Sequence, residues 1–133
     1  MTDNLTREKR IKVMSSIRGK NTRPELIMRK LLWSKGKRYR IHDRSVFGTP
    51  DISNKKKRVA VFVDGCFWHG CEKCYRPPRT NSDFWAKKIE SNKNRRKQVM
   101  SKLENDNWKV FQVWEHEIIK NPQPLVATIM LAL

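Results

Sequence analysis

Arg58–Asp64 reads RVAVFVD, and five consecutive apolar residues leave it no polar face. A β-branched run of this kind has to be covered on both sides, which reads as a buried central strand. The rest of the chain must supply the two covers. Trp108–Trp114 (WKVFQVW) reads as a second core strand. Between them Ser82-Asp83 can start a long helix running to about Asn105, apolar at its ends and almost wholly polar and basic over Glu90–Gln98. Upstream, Thr22-Arg23-Pro24-Glu25 opens a helix with Ile27, Met28, Leu31 and Leu32 as its apolar stripe, and Gly36 ends it. In that opening Thr22 can cap and Glu25 can reach back, a capping box.

Shorter signals complete the order. Tyr39–His42 reads as a short strand, Gly48-Thr49-Pro50 forces a turn, and Asp51-Ile52 begins another extended segment. Gly65–Pro78 is a cysteine-rich loop, and Pro124–Leu133 reads as a final apolar helix. The order helix, strands, helix, strand, helix favours an α/β fold, a three-layer sandwich around a mixed sheet. At 133 residues the chain fits one domain, residues 1–133, with no internal repeat or linker.

The charge is large and uneven. Thirty Lys and Arg against 13 Asp and Glu give a net +17, which points to a polyanionic partner, nucleic acid first. Residues 1–40 hold 13 basic and 3 acidic side chains, whereas 111–133 net −1. Residues 6–18 within the basic arm 1–20 read as a helix with little core to bury, able to order on a polyanion. No run of 18 apolar residues predicts a membrane span, and the opening MTDNLTREKR lacks an apolar signal core.

The three cysteines fall together: Cys66, Cys71 and Cys74, spaced C-x4-C-x2-C. An odd number of thiols in a chain without secretion signals disfavours disulfides and favours one zinc ion. A fourth ligand is needed. His116 ends the WKVFQVW strand, where pairing with 58–64 would bring it alongside; His69, inside the loop, is the alternative. Four protein ligands leave no open position, so the ion would be structural.

The chemistry-bearing residues are fewer. Asp51, at a strand start beside a second strand, suits a hard cation such as Mg2+. His69, on a loop held by metal, suits a proton acceptor. Phe67-Trp68 suits either packing over the zinc or a wedge between base pairs. For Glu25 physics alone favours the cap.

Assembled, these residues resemble the very-short-patch repair (Vsr) DNA mismatch endonucleases, a zinc-bearing branch of the restriction-endonuclease-like fold. The matching stretches are Arg10–Arg18 (RIKVMSSIR), Thr22–Glu25 (TRPE), Gly48–Asp51 (GTPD), Val61–Cys71 (VFVDGCFWHGC), Cys74-Tyr75, the F-W-x2-K-I-x2-N pattern of Phe84–Asn92, and Trp108–Glu115. They run in family order over residues 6–116, and GCFWHGC is the most specific. The resemblance implies a restriction-endonuclease-like sandwich with a zinc-stapled loop. It implies a strand-specific nick 5′ to the thymine of a T:G mismatch arising from 5-methylcytosine deamination. Asp51 and the Val63 carbonyl would hold Mg2+, His69 would be the general base, and Glu25 would support the waters. Met14, Phe67 and Trp68 would intercalate, Asn92 would contact DNA, and Cys66, Cys71, Cys74 and His116 would hold Zn2+. A monomer in the bacterial cytoplasm, acting on double-stranded DNA with mismatch-repair proteins such as MutL as partners, is also implied.

Asp64 stands where a member of the family has histidine, and Arg96 where it has an acidic residue. The second acid and lysine usual in the wider nuclease fold are absent from Phe62-Val63-Asp64. Two other readings compete: a less specific or defence-related nuclease of the same fold, and a non-catalytic zinc-bearing DNA-binding module.

Overall fold

The computed structural model describes residues 21–133. The basic arm 1–20, with its expected helix at 6–18 and Met14, lies outside the described residues. The elements are α1 (Arg23–Ser34), β1 (Arg40–Ile41), β2 (Ile52–Asn54), β3 (Val59–Asp64), α2 (Ser82–Asn105), β4 (Lys109–Trp114), α3 (Glu115–Lys120) and α4 (Gln123–Ala132). The sheet order is β1-β2-β3-β4. β1, β2 and β3 pair antiparallel, and β3 pairs β4 in parallel with Asp64 opposite Trp114. A parallel neighbour requires a crossover, and the 24-residue α2 is that connection.

Both faces of β3 are covered, as its apolar run demands. Val59 and Val61 pack with Met28 and Leu32 of α1, Ile118 of α3, and Val126 and Ile129 of α4. Ala60 and Phe62 face the other way, into a smaller core with Val46 and Leu103, flanked by Val99, Met100 and Trp108. The protein is therefore a mixed α/β fold, its four-stranded mixed sheet packed by helices on either side.

Two details differ from the sequence reading. Helix α3 was not expected: Glu115–Lys120 follows β4 without a break, and the Glu117 carboxylate accepts the Trp114 N–H at 3.3 Å. The capping box at α1 does not form. Thr22 makes no side-chain cap, and Glu25 Oε2 accepts the N–H of Asn21 instead, from a side chain that is 1% exposed. A buried carboxylate needs stronger partners than one backbone N–H, and it finds them in the site described below.

The GTPD turn is fixed by close approach. Gly48 has φ +80°, and a Cβ there would lie 2.3 Å from Val99 Cγ1 of α2. Gly48→Ala should cost about 1–3 kcal/mol by overpacking and left-handed strain, read as a lowered urea midpoint at unchanged slope.

Candidate active site and metal centre

β3 runs three residues beyond its last pairing with β2, because Ile52 pairs with Val61. Asp51 fills the vacated edge: its Oδ2 accepts the Val63 N–H at 2.7 Å. In an extended strand the N–H and C=O of one residue point to the same edge, so the Val63 carbonyl is directed to Asp51's side. The hairpin pairs Ile41 with Ile52, which sets His42 beside Asp51. His42 Nε2 lies 3.0 Å from Glu25 Oε2 and 3.7 Å from Asp51 Oδ1. Arg29, one turn on from Glu25, donates to the same Oε2 at 2.7 Å. Glu25, His42 and Asp51 can thus present one ligand atom each to a single cation.

Burial dominates the electrostatics here, and the Glu25 and Asp64 carboxylates add to it. Against the opposing hydrogen bond from Val63, these push the Asp51 pKa from 3.8 to about 8. A desolvated acid crowded by like charges is neutralised either by a proton or by a cation, so the pocket fits a divalent ion.

The second centre lies past the end of β3. Cys66, Cys71, Cys74 and His116 bring their ligand atoms within 4.8 Å of one another. His116 Nδ1 is 3.2 Å from Cys66 Sγ and 3.6 Å from Cys71 Sγ. A tetrahedral zinc with ordinary bond lengths needs a sulfur–nitrogen edge of about 3.6 Å, so the donor set fits that ion. Without a cation, burial and the neighbouring thiols push the Cys66 thiol up to about 12. The Asp64↔Trp114 pairing brings His116 to the loop, as the sequence suggested, although His116 sits in the first turn of α3 rather than on the strand.

His69 is not part of that group. Its Nε2 faces Asp64 Oδ1 at 3.4 Å, and its Nδ1 is buried without a partner. Burial and the Arg96 charge outweigh the attraction of Asp64 and hold its pKa below the usual 6.5. Asp64 is itself 1% exposed. It accepts two hydrogen bonds from Arg96, at 2.9 and 2.8 Å, and one from Gln112 at 2.7 Å. The two departures noted in the sequence are therefore partners in one ion pair.

Phe67 and Trp68 pack edge-on at 5.2 Å between ring centres and both contact Trp85; Phe67 also meets Tyr75, and Phe84 packs on Trp85. Phe84 is 60% exposed, so the cluster reaches the surface. Asn92 of α2 donates from its side-chain amide to the Trp68 carbonyl at 2.9 Å, pinning the loop from below. A Cβ on Gly70 (φ +61°) would meet Ile89 at 2.7 Å, so the loop also lies hard against α2.

Two participants were missed in the sequence, His42 and Gln112, and Arg96 was singled out only as a departure from the family pattern. His42 was visible only through the hairpin register about the GTPD turn. Arg96 lies in a stretch read as almost wholly polar and basic, yet Ile89, Asn92, Arg96, Val99 and Leu103 follow one another at three- and four-residue steps along one side of α2.

The proteins similar to this chain are named endonucleases and nicking enzymes, which supports a DNA endonuclease. The chain belongs to the Vsr DNA mismatch endonuclease family, whose model matches residues 2–76. It is similar to the type II nicking enzyme V.HpaIIP of Haemophilus parainfluenzae, 45% identical over 134 aligned positions that cover 98% of this chain and 95% of that protein. It is likewise 45% identical to the type II nicking enzyme V.NmeDIP of Neisseria meningitidis serogroup C, across 90% of this chain and 82% of that one. To the DNA mismatch endonuclease Vsr of Escherichia coli K12 it is 35% identical, across 86% and 74%.

The raised Asp51 pKa has a pH consequence. Between about pH 4 and 8 the native state holds a proton that the unfolded chain releases, so stability falls as pH rises through that window. In buffer without added magnesium, Asp51→Asn should melt higher than the wild type, by a margin small at pH 5 and larger at pH 8.5.

Proposed function

We propose that this protein is a magnesium-dependent DNA endonuclease that nicks one strand 5′ to the thymine of a T:G mismatch, starting very-short-patch repair. The observation that carries the reading is a cation pocket next to a rigid, metal-fitted loop that bears both a histidine and an aromatic cluster. On this reading the fold is the restriction-endonuclease-like sandwich.

Asp51 and the Val63 carbonyl would hold Mg2+, with Glu25 and its neighbour His42 fixing the surrounding waters. Bound there, the ion would supply positive charge against the charge developing on the phosphate and the leaving oxygen. His69 would take a proton from the attacking water, and its depressed pKa keeps it neutral and ready to do so. Phe67 and Trp68 would enter the duplex beside the mismatch, with Trp85 behind them. The exposed basic side chains of α2, among them Lys87, Lys88, Arg95 and Lys97, would neutralise phosphates, and Asn92 would set the loop's height above the DNA. Cys66, Cys71, Cys74 and His116 would hold the structural Zn2+. No helix among the described residues is long and apolar enough to cross a membrane. A cytoplasmic monomer, with MutL-like repair proteins as partners, completes the proposal.

The similarity to type II nicking enzymes supports a second reading, a nicking nuclease indifferent to the mismatch. A T:G duplex and its T:A control separate the two. Nicking of the T:G strand alone is expected, and equal cutting of both overturns mismatch specificity. Asp51→Ala and His69→Ala should each lower turnover by about 10²-fold or more while DNA binding persists. Undiminished cleavage in both would remove the assigned active site.

Metal analysis should return about one zinc per chain, and Cys71→Ser should lose the metal and lower thermal stability together, because the ion's binding energy is folding energy.

A further inference from the structure

His42 owes its place in the cation pocket to an uncommon backbone conformation. It follows the last residue of β1, its N–H donates to the Asp51 carbonyl at 3.3 Å, and its φ is +46°. A left-handed conformation is costly for a residue with a side chain, and it persists where the surroundings hold it, often at functional sites. The imidazole is 17% exposed and sets Nε2 between the two acids, 3.0 Å from Glu25 Oε2 and 3.7 Å from Asp51 Oδ1.

Glu25 Oε2 does not depend on that contact. It already accepts hydrogen bonds from the Arg29 guanidinium at 2.7 Å and from the Asn21 N–H at 3.0 Å. An oxygen so supplied leaves the Nε2 lone pair of His42 available to a cation. Adjacent donors around an octahedral ion with bonds of about 2.1 Å lie about 3.0 Å apart, so the Glu25–His42 spacing suits two ligands of one ion. The Asp51–His42 spacing is wider and closes by a small movement of either side chain. Arg29 offsets the charge of Glu25, which leaves Asp51 as the anionic ligand and His42 as a neutral one.

We propose that His42 Nε2 is a direct ligand of the cation held by Asp51, and that this nitrogen makes the pocket selective for a first-row transition dication such as Mn2+ over Mg2+. This rests on the reading of Asp51 as a cation ligand, and it moves His42 from the waters around the ion to the ion itself. Mg2+ gives up water reluctantly and takes oxygen donors, whereas first-row transition ions also accept imidazole.

The rival arrangement keeps His42 off the ion, bonded to Glu25 or to a metal-bound water. Pulsed EPR of the zinc-loaded protein with equimolar Mn2+ separates the two without any variant. Coupling of manganese to a directly bound imidazole nitrogen is expected, and its absence overturns the proposal. His42→Gln keeps a hydrogen-bonding group but removes the nitrogen donor. It should abolish the coupling and weaken Mn2+ binding about 10-fold, while Mg2+ binding changes by less than about 2-fold. Coupling that survives His42→Gln comes from another histidine and overturns the assignment, as does an equal loss for both ions. Asp51→Ala separates the two failures. Mn2+ binding that survives Asp51→Ala removes the cation pocket and the proposal with it. Binding that depends on Asp51 but shows no nitrogen coupling overturns the His42 assignment alone.

Discussion

The parallel pairing of β3 with β4 is the contact on which the rest of the molecule hangs. It sets Asp64 opposite Trp114, so whatever follows each strand emerges at the same end of the sheet. From β3 come the loop cysteines and His69; from β4 comes His116. The same register places Gln112 within 2.7 Å of Asp64. A slip of one residue would turn the shifted strand's side chains to the opposite faces and would separate the metal donors from one another. The register is held by burial on both faces, since each one presents valines or phenylalanine to a helix layer.

The two centres divide the work of that sheet end. The hairpin side, with Glu25, His42 and Asp51, gathers acids in a desolvated pocket whose electrostatics call for a cation. The helix side presents His69, Asp64 and Arg96, where charge is already balanced within the protein. Asp64 is close enough to both to raise the Asp51 pKa and to face His69. Its clamp to Arg96 keeps the carboxylate from swinging toward Asp51, where it would deepen the crowding.

Beside its aromatic cluster, three devices hold the loop between β3 and α2. Four donors converge as a metal site would require, Asn92 bonds the Trp68 carbonyl, and Gly70 packs hard on α2. Together they tie the loop on two sides: the cysteines to His116 in α3 at the end of β4, and Asn92 and Gly70 to α2. A loop so constrained presents its aromatic cluster and His69 in a set relation, which the proposed wedge and base would need.

Local patterns were enough for the elements themselves. The continuous apolar run of β3, the turn residues of GTPD, the stop at Gly36 and the start of α2 at Ser82 each depend on neighbours a few residues away, and the three clustered cysteines needed no folding to be seen. The sequence by itself thus determined a mixed α/β fold, the cysteine cluster and, by its motifs, the family. It did not determine the partners of its polar residues. Glu25 looked like a cap and is a buried member of the cation pocket; Arg96 stood out only as a departure from the family pattern and grips Asp64 from the next layer. His42 and Gln112 gave no local signal at all. Only the tertiary structure decided these, because they join residues 17 to 48 positions apart whose meeting follows from hairpin register and helix crossover rather than from any pattern within a single element.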